Sequence, residues 1–146
     1  MNSPVFSWRA ALMLLAAVTL AGSCSDGTPK TYPVKGQVVF KGKGGNIHQL
    51  VGGKVRLQSV TDPGVTAVGE IEDDGVFSLG AYYQGRGLPG VPAGQYKARV
   101  EPPVDDEEGK PIRGLIHPRY EDFDKSGWII TVPLTGDLVL EVERTR

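Results

Sequence analysis

Short stretches in which apolar and polar residues alternate recur along this chain, and they limit the folds open to it. The clearest is GQYKARV, in which Tyr96, Ala98 and Val100 alternate with polar side chains. A period of two places the apolar side chains on one face of a strand. The chain also contains 20 glycines and 11 prolines, and the part after the N-terminal segment has no long helical period. The pattern therefore predicts an all-β fold with many turns.

Seven stretches have the pattern of strands, which predicts an antiparallel β-sandwich of about seven strands. They are 32–40, 54–60, 66–72, 76–80, 94–100, 128–134 and 137–143. Asp73–Gly75 has the Asp-Gly sequence of a hairpin turn, and we expect the last two strands to form a hairpin around 135–137. Residues 81–94 are predicted to be a long connection. A barrel is the alternative, which the long connections disfavour.

Two residues predict finer features of the sandwich. Gly36 lies on the inward side of the first strand, where a glycine indicates a bulge or a close backbone approach. Tyr96 follows the turn-like Pro-Ala-Gly and has the sequence context of a corner tyrosine. The hydroxyl of such a residue ties a loop to the sheet.

The N-terminus has the organisation of a signal segment. Arg9 precedes the apolar residues 10–22, a stretch shorter than the ~20 residues that span a bilayer. Small residues follow it, and then the only cysteine, Cys24. A buried core helix is the alternative, which the polar, glycine-containing sequence after Cys24 disfavours. We predict a signal peptide at 1–23, a flexible tether at 24–31 and a β-sandwich domain at 32–146.

The sequence around Cys24 resembles the lipobox of bacterial lipoproteins, in which the cysteine sulfur carries a diacylglyceryl group. Gly22 and Ser23 match the small residues of that motif, whereas Ala21 stands where the family has Leu, Val or Ile. The resemblance implies that Cys24 is the lipid-attachment residue and that the protein is held at a membrane outside the cytoplasm, in the cell envelope. Ordinary secretion, with cleavage near Gly22 or Ser23, is the alternative.

Charge and cysteine content exclude several function classes. The chain has 16 Lys and Arg, of which Arg9 lies in the signal segment, against 17 Asp and Glu. The remainder is nearly neutral and has no basic patch, so we expect no nucleic-acid partner. One cysteine cannot form an internal disulfide or a cysteine zinc site. Neither a catalytic residue nor a cofactor is predicted.

Four sequence stretches, taken in order, carry a family resemblance. They are YPVKGQVVFKGK, GEIEDDGVFSLG, GLPGVPAGQYKARVEPP and HPRYEDFDKSGWIITV. The array is similar to small planctomycete-type lipoproteins that carry a carboxypeptidase regulatory-like, or transthyretin-like, domain. The resemblance implies an immunoglobulin-like or transthyretin-like sandwich outside the cytoplasm, with no established catalytic role. The chain lacks the Tyr-Arg-Gly-Ser terminus of the transthyretin-like hydrolases, which counts against that activity.

Aromatic residues are the candidate ligand contacts. Tyr82, Tyr83, Tyr120 and Phe123, with Trp128, are predicted either to form a platform for sugar rings or to pack inside the fold. Tyr82 and Tyr83 are the strongest candidates for a platform. Because adjacent residues of an extended chain face opposite sides, at least one of the two is expected to be exposed.

Three acidic stretches and two histidines have simpler interpretations. Asp73 and Asp74 are explained by turn chemistry, residues 105–110 by a solvated loop, and residues 120–124 by a packed loop. Calcium binding and contact with a basic partner are the alternatives for these loops. His48 and His117 are far apart in sequence, and no metal site is predicted from them.

These observations lead to two functional hypotheses. The first is a non-enzymatic, lipid-anchored cell-envelope protein whose β-sandwich serves adhesion, scaffolding or ligand binding. Its partners would be the membrane, through the anchor, and an envelope protein or a glycan. The second is a secreted carbohydrate- or peptide-binding module.

Overall fold

The structure is a computed structural model that describes residues 27–42, 45–106 and 108–145. The predicted signal segment and Cys24 lie outside the described residues. Strands and short 3-10 turns make up the regular structure of the described ranges, which confirms the predicted all-β fold.

Ten strands are present within these ranges. Their bounds are β1 Thr31–Tyr32, β2 Val34–Phe40, β3 Lys54–Ser59, β4 Thr66–Glu70, β5 Val76–Tyr83, β6 Arg86–Leu88, β7 Val91–Pro92, β8 Gly94–Glu101, β9 Ile129–Val132 and β10 Leu138–Val142. Three 3-10 turns lie between them, at Ile47–Leu50, Asp73–Gly75 and Pro118–Glu121.

Eight of these strands form one continuous, curled sheet. Seven follow the order β10-β2-β5-β4-β3-β8-β9, and β6 is added beside β5. Strand β5 makes the bend, because its first half pairs with β2 and its second half pairs with β4 and β6. The sheet thus folds over itself and encloses the core between two layers, as predicted for a sandwich. All neighbouring strands are antiparallel except β10 and β2, which run parallel.

The core consists of the inward-facing residues of the alternating strands. In β5 the buried residues Phe77 and Leu79 alternate with the exposed Val76 and Ser78, as the sequence predicts. The largest fully buried side chains come from most of the strands and from the connecting loops. They are Tyr96, Leu50, Leu57, Ile71, Ile116, Leu140, Val34, Val38, Val55, Val91, Val100 and Val142.

The Asp73–Gly75 turn is confirmed. It joins β4 to β5, and these strands pair antiparallel with Thr66 opposite Tyr82. Asp74 has φ of 61° and Gly75 has φ of 78°, the left-handed region that this turn requires. The turn chemistry therefore accounts for the Asp-Asp-Gly sequence.

The predicted final hairpin is wrong. Strand β9 pairs with β8, and β10 lies beside β2, so the chain crosses from one end of the strand order to the other at 133–137. Each of these strands covers a sheet edge that a β9–β10 hairpin would leave open. Their inward residues, including Ile130 and Leu140, are buried as the alternation predicts.

The predicted long connection at 81–94 is also wrong in its first part. Strand β5 continues to Tyr83, and the chain returns at once as β6, with Tyr83 opposite Arg86. The two-residue turn between them has positive φ at both Gln84 (49°) and Gly85 (76°). Such a turn matches the twist of the flanking strands and needs no longer loop.

Tyr96 is a corner tyrosine, as predicted. Its side chain is buried, which raises its pKa, and its hydroxyl donates a hydrogen bond of 2.9 Å to the carbonyl oxygen of Pro92. The bond fixes the β7 segment to the start of β8, four residues further on. The loop that leads into β8 is thereby held to the sheet.

We expect Tyr96→Phe to lower the free energy of unfolding by about 1–3 kcal/mol, because it leaves the Pro92 carbonyl without its buried donor. Urea unfolding followed by circular dichroism measures this change. Tyr82→Phe is the matched control, since the Tyr82 ring is exposed. Equal unfolding midpoints for Tyr96→Phe and the wild type would contradict the structural role of the bond.

Candidate functional site

The position of β1 shows at which end the described chain enters the sandwich. Strand β1 follows the segment 25–30 and pairs with β7, with Thr31 opposite Pro92 and Tyr32 opposite Val91. Strand β1 leads directly into β2, and β7 leads directly into β8. The β1–β7 pair therefore lies where β2 and β8 begin, and the chain enters the sandwich at this end. We call this the tether end.

The opposite end of the sandwich is built from long loops. Strands β2, β8 and β10 all finish there, since Val142 lies beside Phe40 and Glu101 lies opposite Lys54. The segments 45–53, 102–106 and 108–117 cover this end, which we call the loop end. The seven residues of β2 separate the two ends by ~20 Å, at ~3.3 Å per residue.

Tyr82 is the predicted ligand residue with the most exposed ring. It lies on the outer face of β5, between Thr66 of β4 and Gly87 of β6, and is 55% exposed. Tyr83 is half-buried, and its hydroxyl accepts a hydrogen bond of 3.3 Å from the Gln84 amide. The expectation that at least one of these tyrosines is exposed is confirmed.

Tyr120 occupies the core. It is 3% exposed, and its ring stacks on that of Trp128 with centroids 5.0 Å apart and an angle of 23° between the planes. The Arg119 guanidinium lies 4.5 Å from the centre of the same ring and donates a hydrogen bond to the Tyr120 hydroxyl. Little of this ring is left for a ligand.

Phe123 packs against the outer side of β8. The Arg99 guanidinium lies 4.6 Å from the centre of its ring. Arg99 also pairs with Glu101, which accepts a second bond, of 2.7 Å, from Arg56. Phe123 is therefore part of a packed and charged surface, three strands away from Tyr82 in the sheet order. The predicted aromatic residues do not form one shared platform.

The 120–124 loop is held by its own contacts, in agreement with the predicted packed loop. The Asp122 carboxylate accepts a 2.8 Å hydrogen bond from the Asp124 amide and lies 3.2 Å from the Lys125 ammonium group. These two contacts lower the pKa of Asp122 below its usual value, the backbone bond contributing most. They stabilise the ionised carboxylate within the loop.

The two histidines lie in different loops. His48 belongs to the 3-10 turn Ile47–Leu50, and His117 precedes the turn Pro118–Glu121, where its Nδ1 accepts a 3.3 Å bond from the Arg119 amide. The cavity beside His117 is lined also by Pro118, Glu143, Arg144 and Thr145. Across the described ranges, no three His, Cys, Asp or Glu side chains are grouped so as to hold a metal ion.

A large open groove lies at the loop end. Its volume is about 840 Å³, and its walls come from the 48–52 segment on one side and from described residues of 103–106 and 108–115 on the other. Sequence reasoning missed this groove. Its two walls are about fifty residues apart in the chain, and only the pairing of β3 with β8 brings them together.

In comparisons with known proteins, no family model, no curated protein and no solved structure matches this chain. The fold and the surface geometry therefore define its class, which is an all-β, sandwich-like protein with long loops at one end. In the part of the chain that the structure describes, no helix is long and apolar enough to cross a membrane.

Proposed function

We propose that this chain is a non-enzymatic, lipid-anchored protein of the cell envelope. Its β-sandwich would serve as an adhesion, scaffolding or ligand-binding module. The observation that carries the proposal is the apolar stretch 10–22, followed by small residues and Cys24, a short distance before the first strand. An attached lipid group with two or more acyl chains would anchor the domain durably without a membrane-spanning helix.

The arrangement of the two ends supports this role. The chain reaches the sandwich at the tether end, so an anchor at Cys24 would leave the loop end free to meet a partner. The buried core residues run from Val34 to Val142 in the sequence, and the described residues 27–30 add no strand to the sheet. The buried position of Tyr120 also favours a module that binds through loops over one that binds on a flat aromatic face.

A secreted carbohydrate-binding module is the second candidate, and the exposed ring of Tyr82 favours it. One exposed ring beside Gly87 offers a single stacking surface for a sugar. The resemblance to planctomycete-type lipoproteins with a carboxypeptidase regulatory-like domain favours the first candidate, and we propose membership of that family together with it.

The anchor is tested by labelling cells with a fatty-acid probe. We expect the wild-type protein to carry the label and to sediment with membranes, and Cys24→Ala to lose the label and at least ~90% of its membrane fraction, since no acyl chain remains. Ser25→Ala, at the neighbouring residue, is the control and should behave as the wild type. An unlabelled wild type, or a Cys24→Ala protein that stays with the membrane, would refute the anchor.

A further inference from the structure

The groove at the loop end is lined by apolar residues and by acidic residues, the second of which we call the acidic lip. Val51, Ile112 and Leu115 contribute apolar side chains, and Pro103 and Pro111 extend the apolar surface along the 103–115 wall. The volume of about 840 Å³ lies within the range of ~300–1,000 Å³ that is typical of ligand sites. The groove is open to solvent rather than enclosed, so a segment of another protein could enter it.

The charge of the lip is negative. Asp105, Asp106 and Glu108 line the groove with three carboxylates, against one guanidinium from Arg113. Asp106 also shapes the lip, because its carboxylate accepts hydrogen bonds from the backbone amides of Glu108 (3.1 Å) and Lys110 (2.7 Å).

The lip differs from the outer sheet face in how its charges are neutralised. On the sheet face, Glu101 pairs with Arg56 and Arg99, and Asp124 pairs with Lys97. Among the residues that the structure describes, Asp105 and Glu108 make no ion pair with this chain. Their charges are available to a cationic ligand.

We propose that this groove binds an extended, positively charged peptide segment of another protein. Apolar side chains of the segment lie on Val51, Ile112 and Leu115, and its Lys or Arg side chains pair with Asp105 and Glu108. The proposal rests on the ligand-binding role proposed above and specifies a basic peptide as the ligand. The negative lip disfavours an anionic lipid surface or nucleic acid as the occupant, because like charges repel.

The test measures binding of a fluorescein-labelled nonapeptide of lysine, leucine and proline to the full chain in detergent, by fluorescence anisotropy. We expect saturable binding that weakens with added salt, and at least ~10-fold weaker binding of the same peptide with glutamate in place of lysine. The double variant Asp105→Lys with Glu108→Lys should also bind the lysine peptide at least ~10-fold more weakly.

Glu141→Lys is the matched control. It makes the same change of charge on the exposed side of β10, outside the groove, and should change the affinity by less than ~2-fold. If the double lysine variant fails to fold, Asp105→Asn with Glu108→Gln keeps the size of both side chains and should still weaken binding ~3-fold or more.

The proposal is overturned if the wild type binds the lysine and glutamate peptides equally or binds neither. It is also overturned if Glu141→Lys weakens binding as much as the lip variants do. Cys24→Ala separates this result from that of the anchor. Unchanged peptide affinity in Cys24→Ala supports peptide binding by the groove, whether or not Cys24 is lipidated. A wild type that carries the fatty-acid label but binds no peptide supports the lipid anchor and refutes peptide binding by the groove.

Discussion

Gly36→Ala should destabilise the domain severely, by about 3 kcal/mol or more. A Cβ atom at Gly36 would lie 2.3 Å from the carbonyl oxygen of Leu138 and 2.6 Å from the Phe77 ring. Phe77 is a buried core residue, and Leu138 begins the strand that pairs in parallel with β2. The added methyl group must therefore both separate β10 from β2 and displace the core ring, and overpacking of this kind costs ~1–3 kcal/mol even without a backbone clash.

Guanidinium unfolding of purified protein measures this effect, with Gly87→Ala as the control. A Cβ at Gly87 meets nothing within 4 Å, and Gly87 does not have positive φ. We expect that variant to change the free energy of unfolding by less than ~0.5 kcal/mol. A Gly36→Ala protein as stable as Gly87→Ala would show that β10 does not lie against β2 in the register described here.

Local sequence patterns predicted the features that depend on neighbouring residues. The alternation in β5 and β8 identified their buried faces, and the Asp-Gly pair identified the β4–β5 turn. The close backbone approach at Gly36 and the corner role of Tyr96 were also predicted correctly. A glycine on the inward face of a strand and a tyrosine after a turn are each typical of one such feature. All of these inferences require only a few consecutive residues.

Features that depend on distant pairing could not be predicted in this way. Residues 128–134 and 137–143 have the same alternation whether they form a hairpin or cover separate edges of the sheet, so the pattern did not distinguish the two arrangements. The groove at the loop end has the same origin: the acidic residues 105–110 are visible in the sequence, but nothing in the sequence places the 48–52 segment opposite them. Gly85, flanked by residues with the pattern of strands, is a sequence signal for a tight turn at Gln84–Gly85. The prediction of a long connection did not use this signal.

Tyr120→Ala should lower the free energy of unfolding by about 3–5 kcal/mol, the usual cost of removing a buried aromatic side chain. The Tyr120 ring is 3% exposed and stacks on Trp128, and its loss leaves a cavity beside β8. It also removes the hydrogen bond and the ring contact of Arg119, which keeps its ion pair of 3.6 Å with Glu143. Thermal and urea unfolding, followed by tryptophan fluorescence, both report on this site through Trp128.

Tyr82→Ala gives the comparison that separates core aromatics from ligand-binding ones. Because the Tyr82 ring is 55% exposed, its removal should change stability by less than ~0.5 kcal/mol. A glycan array probed with this variant and with the wild type then tests the carbohydrate-binding candidate, which requires the Tyr82 ring for stacking. The core role of Tyr120 would be contradicted if Tyr120→Ala were nearly as stable as the wild type. If Tyr82→Ala and Tyr120→Ala then both lost a glycan signal, Tyr120 would be a ligand-binding residue, as one of the sequence predictions holds.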